Sequence, residues 1–150
     1  MCSLYSFRKS VDETRALLKY LEHPQFPPRD YVHPASPIAI VRSGLNGQRH
    51  FALVRWGFIP SWVKELRAQP LINARSETVY EKASFKNAIR RRRCLIPADG
   101  FYEWKRTGKR TSIPYRFTLK DKSLFALAGL WEEYDDENGE MFHKIGRAHV

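Results

Sequence analysis

The stretch that most constrains this 150-residue chain is Arg93-Cys94-Leu95-Ile96-Pro97-Ala98-Asp99-Gly100-Phe101-Tyr102-Glu103-Trp104. An apolar run enters a proline and an Asp-Gly turn and leaves as an alternating Phe-Tyr-Glu-Trp segment, so both arms read as β-structure. The second arm sets one carboxylate, Glu103, among three aromatic rings. Desolvating a lone carboxylate is costly and raises its pKa. Two readings follow. Either Glu103 lies on the solvent side of a half-buried strand, paired with an arginine, or its surroundings fit it for proton transfer.

The remaining sequence breaks into short elements. Ser10 and Glu13 have capping-box spacing, and Leu17, Leu18 and Leu21 form an apolar stripe, which predicts a first helix over 10–21 stopped by Pro24, Pro27 and Pro28. Ile38–Val41 and Phe51–Trp56 read as paired strands about Gly44-Leu45-Asn46-Gly47, with Gly57 and Pro60 ending the second. Ser61 can cap a helical turn reaching Ala68, and Ser84 can cap a short helix bearing Phe85, Ala88 and Ile89 that runs into Arg90-Arg91-Arg92-Arg93. That arginine run is either a solvated face or a grip on phosphate. Strands are expected at 113–118 and 124–130, and Asn138-Gly139 signals a last hairpin turn. Many strands with short turns and few helices predict an α+β domain, mainly β and barrel-like, with short peripheral helices.

Lys and Arg number 26 against 16 Asp and Glu, a formal charge of +10. Such a balance favours an anionic partner, nucleic acid being the commonest, or serves solubility alone. No apolar run reaches the roughly 18 residues of a membrane span, and no signal peptide is evident, so a cytoplasmic location without a membrane partner is expected. Two cysteines, Cys2 and Cys94, make neither a disulfide framework nor a zinc site. The five histidines lack metal-ligand spacing and no Gly-rich phosphate loop is present, so no metal and no cofactor is expected.

Cys2 carries the most distinctive chemistry. Removal of Met1 leaves an α-amine and a thiol on one residue, with reference pKa values of about 7.7 and about 8.5. The amine condenses with an aldehyde, and the thiol then closes a five-membered thiazolidine. Glu103 is the candidate acid-base group, the Asn73 amide can orient the amine or the aldehyde oxygen, and the Arg75 fork suits a phosphate. The alternatives are structural: Cys2 as an ordinary second residue, Asn73 as a turn cap, Arg75 paired with Glu77. Trp56 and Trp62 are core residues or base-stacking platforms, and Cys94 is a small core residue.

Together these pieces resemble the SRAP family, the SOS-response-associated peptidase domain also called the abasic-site processing protein. Met1-Cys2 is similar to the family's start, Arg55-Trp56-Gly57-Phe58-Ile59-Pro60-Ser61-Trp62 to its R-W-G-L-I-P-x-W segment, and Asn73-Ala74-Arg75-Ser76-Glu77-Thr78 to its N-A-R-A-E-T segment. Residues 92–104 are nearly identical to its central motif. The resemblance implies a β-rich fold that binds single-stranded DNA carrying an abasic site, as a monomer, in the DNA damage (SOS) response, cytoplasmic and nucleoid-associated when on DNA. It implies Cys2 as nucleophile forming a thiazolidine DNA-protein crosslink, Asn73 positioning it, Glu103 in proton transfer, Arg75 on the phosphate beside the lesion, and Arg55 and Trp56 on the DNA-binding surface. It also implies peptidase self-removal of Met1. The alternative function is a non-covalent single-stranded nucleic-acid-binding barrel with no chemistry.

Three departures stand out. Ser3-Leu4 replaces the usual Gly-Arg, Tyr31–Ser36 follows the Y-N-x-x-P-T pattern loosely, and the histidine of an H-D-R-M-P segment has no counterpart. Lys144–Val150 back-translates to a common sequencing-adapter sequence. The expected division is therefore a domain over 1–143, incomplete at its C-terminal end, and a non-native tail over 144–150.

Overall fold

A computed structural model of the chain describes residues 2–63, 69–135 and 141–149. In order, these form β1 (Tyr5–Phe7), α1 (Val11–Leu18), β2 (Arg29–Val32), β3 (Pro37–Ser43), β4 (Arg49–Trp56), β5 (Asn73–Arg75) and α2 (Ala88–Arg91). Then follow β6 (Arg93–Ala98), β7 (Gly100–Arg106), β8 (Ser112–Phe117), β9 (Phe125–Asp135) and β10 (Met141–His149). The expected mainly β, barrel-like α+β class is the one observed.

β3 and β4 form the expected hairpin, in register from Pro37↔Arg55 to Ser43↔Arg49. Gly47 takes φ 78 in its turn, a conformation glycine adopts without a Cβ penalty. β6 lies between β3 and β9, and β10 pairs antiparallel with β9. β10 also meets β4 in parallel at Lys144↔Arg55, so the larger sheet curls back on itself and leaves few edges. β5 adds to β10 in parallel. The smaller sheet runs β2-β1-β7-β8.

The chain passes from the larger sheet to the smaller one at Asp99, between β6 and β7. Asp99 is buried, accepting from the Ser6 hydroxyl, the Arg8 backbone N–H at 2.9 Å and Arg116 Nη2 at 2.9 Å. Burial pushes its carboxyl up, but the Ser6 and Arg8 hydrogen bonds and the charges of Arg8 and Arg116 outweigh it and hold the group below its ordinary range. A carboxylate whose folded pKa is depressed stabilises the fold above its unfolded pKa, near 3.9, and loses that contribution as pH falls through the folded value. The Asp99→Asn variant should therefore be less stable than the parent at neutral pH. The gap should close below about pH 4 in urea titrations. A gap that stayed constant down to pH 2 would show that the charge on Asp99 does not contribute.

β1 alternates. Tyr5 and Phe7 enter the main core with Ile38, Ile40, Val54, Trp56 and Ile96, while Ser6 turns to Asp99. Full burial of each such aliphatic side chain stabilises the fold by about 1.5–3 kcal/mol. A second cluster joins Phe58, Ala74, Val79, Phe85, Ala88 and Leu130, and it anchors β5 and α2.

The helices are shorter than their sequence patterns. α1 has the expected capping box, Glu13 N–H to Ser10 Oγ at 3.1 Å and Ser10 N–H to Glu13 Oε2 at 3.0 Å. It stops at Leu18 because Lys19 turns left-handed (φ 55) and the Leu21 N–H is drawn onto the Arg49 carbonyl of β4 at 3.1 Å. The prolines follow a helix that has already ended. Thr14 and Leu18 form its buried stripe, whereas Leu17 and Leu21 are about half exposed. α2 starts at Ala88 rather than at Ser84, because successive turns over 78–87, such as Phe85 N–H to the Lys82 carbonyl at 2.9 Å, occupy the preceding segment. Residues 64–68, most of the helical turn expected after Ser61, lie outside the described residues, as does the Asn138-Gly139 turn.

The arginine run is divided by burial. Arg92 Nε lies 2.8 Å from Glu132 Oε1 and its Nη2 donates to Oε2 at 3.1 Å, with Glu132 only 4% exposed. Arg90, Arg91 and Arg93 are exposed.

Candidate active site

Asn73 opens β5, a strand held from below by the buried Ala74. Its Nδ2 donates to the Cys2 backbone carbonyl at 2.9 Å, joining residues 71 apart in sequence. Its Oδ1 is buried and has no hydrogen-bond partner among the described residues. An acceptor left this way costs about 1–3 kcal/mol, so it stands ready for a donor brought close to Cys2. Cys2 itself is 0% exposed, and its Sγ donates to the Leu4 carbonyl at 3.1 Å.

The same Leu4 carbonyl accepts the Tyr102 N–H at 3.0 Å. β1 and β7 pair antiparallel through Tyr5↔Phe101 and Ser6↔Gly100, so the chain running back from Leu4 heads along β7 towards Glu103 and Trp104. Glu103 is half-buried opposite Tyr115 of β8. Alternation puts it on the face that carries Phe101 and Phe117, whose rings stack at 5.2 Å and 15°.

Arg75 is exposed and lies two residues along β5 from Asn73, on the same side of the strand by alternation. Arg55 is exposed near the end of β4. Trp56, expected on a DNA-binding surface, is a buried residue here. It is 2% exposed, its Nε1 donates to the Ile72 carbonyl at 3.0 Å, and its ring packs 5.6 Å from that of Tyr5. The alternation of β4 that exposes Arg55 sends Trp56 inward, where its indole is tied to Ile72, the residue before Asn73. Trp62, by contrast, is 62% exposed. Cys94 is the core residue expected, and burial pushes its thiol well up from its ordinary pKa.

Cys2 and Asn73 are thus in contact, the strand of Glu103 is joined to β1, which follows Cys2 in the chain, and Arg75 stands on the Asn73 strand. Among the described residues no group of three His, Cys, Asp or Glu is placed to hold a metal, and no helix is long and apolar enough to cross a membrane. Sequence reasoning missed Asp99, whose bonds to Ser6 and Arg8 fix the strand that leads to Cys2. An Asp before Gly reads as a turn residue, and nothing local indicates partners 91 and 93 positions away. It also missed the Tyr31–Tyr102 contact at 5.8 Å, which links β2 to β7 on either side of β1.

Comparison with known proteins is consistent with this arrangement. The family model of SOS response associated peptidase (SRAP) matches residues 1–146. The abasic site processing protein YoqW of Bacillus subtilis (strain 168) is 37% identical over 151 residues, covering 95% of this chain and 65% of its own. The chain therefore spans just under two thirds of that relative's length. A crystal structure from Bordetella bronchiseptica superposes with TM-score 0.78 at 31% identity, over 98% of this chain and 71% of that one. Another, from Bacteroides thetaiotaomicron, reaches TM-score 0.85 at 23% identity over 98% and 67%, a likeness of fold.

Proposed function

The chain belongs to the SOS response associated peptidase (SRAP) family, and from that premise we propose that it recognises abasic sites in single-stranded DNA and captures them covalently through Cys2. The observation that carries the reading is the Asn73 amide, which grips the Cys2 carbonyl with Nδ2 and keeps a buried acceptor, Oδ1, without a partner among the described residues. Once Met1 is removed, the new α-amine of Cys2 is the donor that Oδ1 lacks.

In the reaction, the neutral amine attacks C1 of the ring-opened abasic sugar and the carbinolamine loses one water to give an imine. The Cys2 sulfur then adds to the imine carbon, its proton passes to the nitrogen, and a thiazolidine results with one water released overall. Glu103 relays the protons of addition and dehydration. Arg75 and Arg55 hold backbone phosphates, Arg75 beside the lesion. The bond shields the lesion within the DNA damage response. Removal of Met1 by the same site is the peptidase step, and the working form is a monomer on DNA. The naming of YoqW as an abasic site processing protein supports the abasic-site part of this reading.

Met1-processed protein mixed with single-stranded DNA bearing one abasic site should give a band shifted on a denaturing gel and stable to high salt. Counterion release makes non-covalent binding collapse under the same salt. A complex that forms at low salt and vanishes entirely on denaturation would favour the non-covalent binding module instead.

A further inference from the structure

The arginine run is not absorbed by the Cys2 site, and its position argues for a second one. Arg93 lines a concavity of about 380 Å³ together with Arg42, Ser43, Gly47 and Arg49, at the end of the β3–β4 hairpin. Each arginine arrives from a different strand. Arg42 is stacked 4.4 Å over the Trp131 ring, which orients its plane, and its Nη1 lies 4.0 Å from the exposed Glu133 carboxylate. Arg49 spends one donor on the Leu18 carbonyl at 2.9 Å, and Arg93 is exposed. Arg42 and Ser43 are neighbours in β3 and point to opposite faces, so the Arg42 guanidinium is spent on Trp131 and Glu133 while Arg49 and Arg93, with the exposed Ser43, face the concavity and give it a charge of +2. Two guanidinium forks from different strands, a hydroxyl and a glycine turn are groups that recognise phosphate oxygens.

We propose that this concavity is a second phosphate site, which takes the sugar-phosphate backbone of nucleic acid at the pole opposite Cys2. The inference rests on the reading of the chain as a DNA-binding protein. The Cys2 site adjoins the other end of the same hairpin, where Trp56 meets Ile72. The seven residues of β3 separate the two ends by about 20 Å at about 3.3 Å per residue. Stacked single strand with one phosphate per about 3.4 Å bridges that gap with about six nucleotides. A short oligonucleotide held at Cys2 does not reach the concavity, and a longer one does.

The test compares the parent with Arg49→Gln/Arg93→Gln and with Ser43→Glu, which inserts a carboxylate without removing any arginine. Each protein is titrated with unmodified single-stranded DNA of about 20 nucleotides over a salt series, and is also crosslinked to an abasic oligonucleotide of about five. For the long DNA, the double variant should bind about tenfold more weakly. Its salt slope should fall by about 1.4, at about 0.7 per lost phosphate contact. Ser43→Glu should weaken binding in the same direction, while crosslinking of the short oligonucleotide is unchanged in both. Unchanged affinity and parallel salt lines for the long DNA would overturn the proposal. So would variants that alter only the binding of inorganic phosphate, since the occupant would then be the free anion. Failure of the parent to crosslink the short oligonucleotide would instead count against the Cys2 chemistry and leave the salt-slope result to decide this site.

Discussion

Replacing Cys2 with alanine should reduce the denaturation-resistant DNA complex to background while leaving salt-sensitive binding intact. The variant also separates the two halves of the chemistry. Alanine keeps an α-amine at the processed N-terminus, so an imine with the abasic aldehyde still forms, but no sulfur is present to close the ring. The imine hydrolyses on denaturation, and borohydride added beforehand should restore the shifted band by reducing it. A band from Cys2→Ala without reductant would mean that the bond is made elsewhere in the chain. No band even with borohydride would mean that the N-terminal amine never reaches the aldehyde.

The largest effect on stability should come from the Arg92–Glu132 pair, and it should be asymmetric. Glu132 is the deeper partner, its side chain 6% exposed against 29% for Arg92. Breaking a buried pair by removing one member costs about 3–5 kcal/mol, because the other is left uncompensated. Arg92→Met strands the carboxylate in the interior and should cost near the top of that range. Glu132→Gln leaves an arginine that already reaches water and should cost much less. The loss should appear in urea denaturation as a lower midpoint at unchanged slope, with DNA binding by the folded fraction retained. Equal losses from the two substitutions would show that depth does not set the cost.

What could be read from the sequence depended on how far apart the interacting groups lie. The β3–β4 hairpin, the capping box of α1 and the strand-corner-strand of 93–104 are local, and each is present where its pattern lies. The end of α1 was not legible, since it is set by a hydrogen bond to Arg49, 28 residues beyond Leu21. The burial of Trp56 was hidden for a related reason. A tryptophan beside an exposed arginine looks like a binding surface until the two faces of β4 are told apart, and the Ile72 carbonyl that satisfies its indole comes from another strand. In the same way, the resemblance implied that Asn73 positions Cys2, but the 2.9 Å bond to its carbonyl and the buried acceptor left over belong to tertiary structure.

The separation of Cys2 from its partners also sets an order of events during synthesis. Its positioning amide lies 71 residues downstream, and the anchor of β1, Asp99, lies 93 residues beyond Ser6. At about 5–20 residues per second, the N-terminus waits roughly 5–20 s in solvent before Asp99 is made, and longer before that residue leaves the ribosome. Afterwards Cys2 is sealed at 0% exposure. On the function proposed above, a general aminopeptidase has that interval before Cys2 is buried, and the self-removal proposed for the site would serve a chain that misses it. Adding such an enzyme to folded and to urea-unfolded Met1-bearing protein, and weighing the products, should show removal only from the unfolded chain.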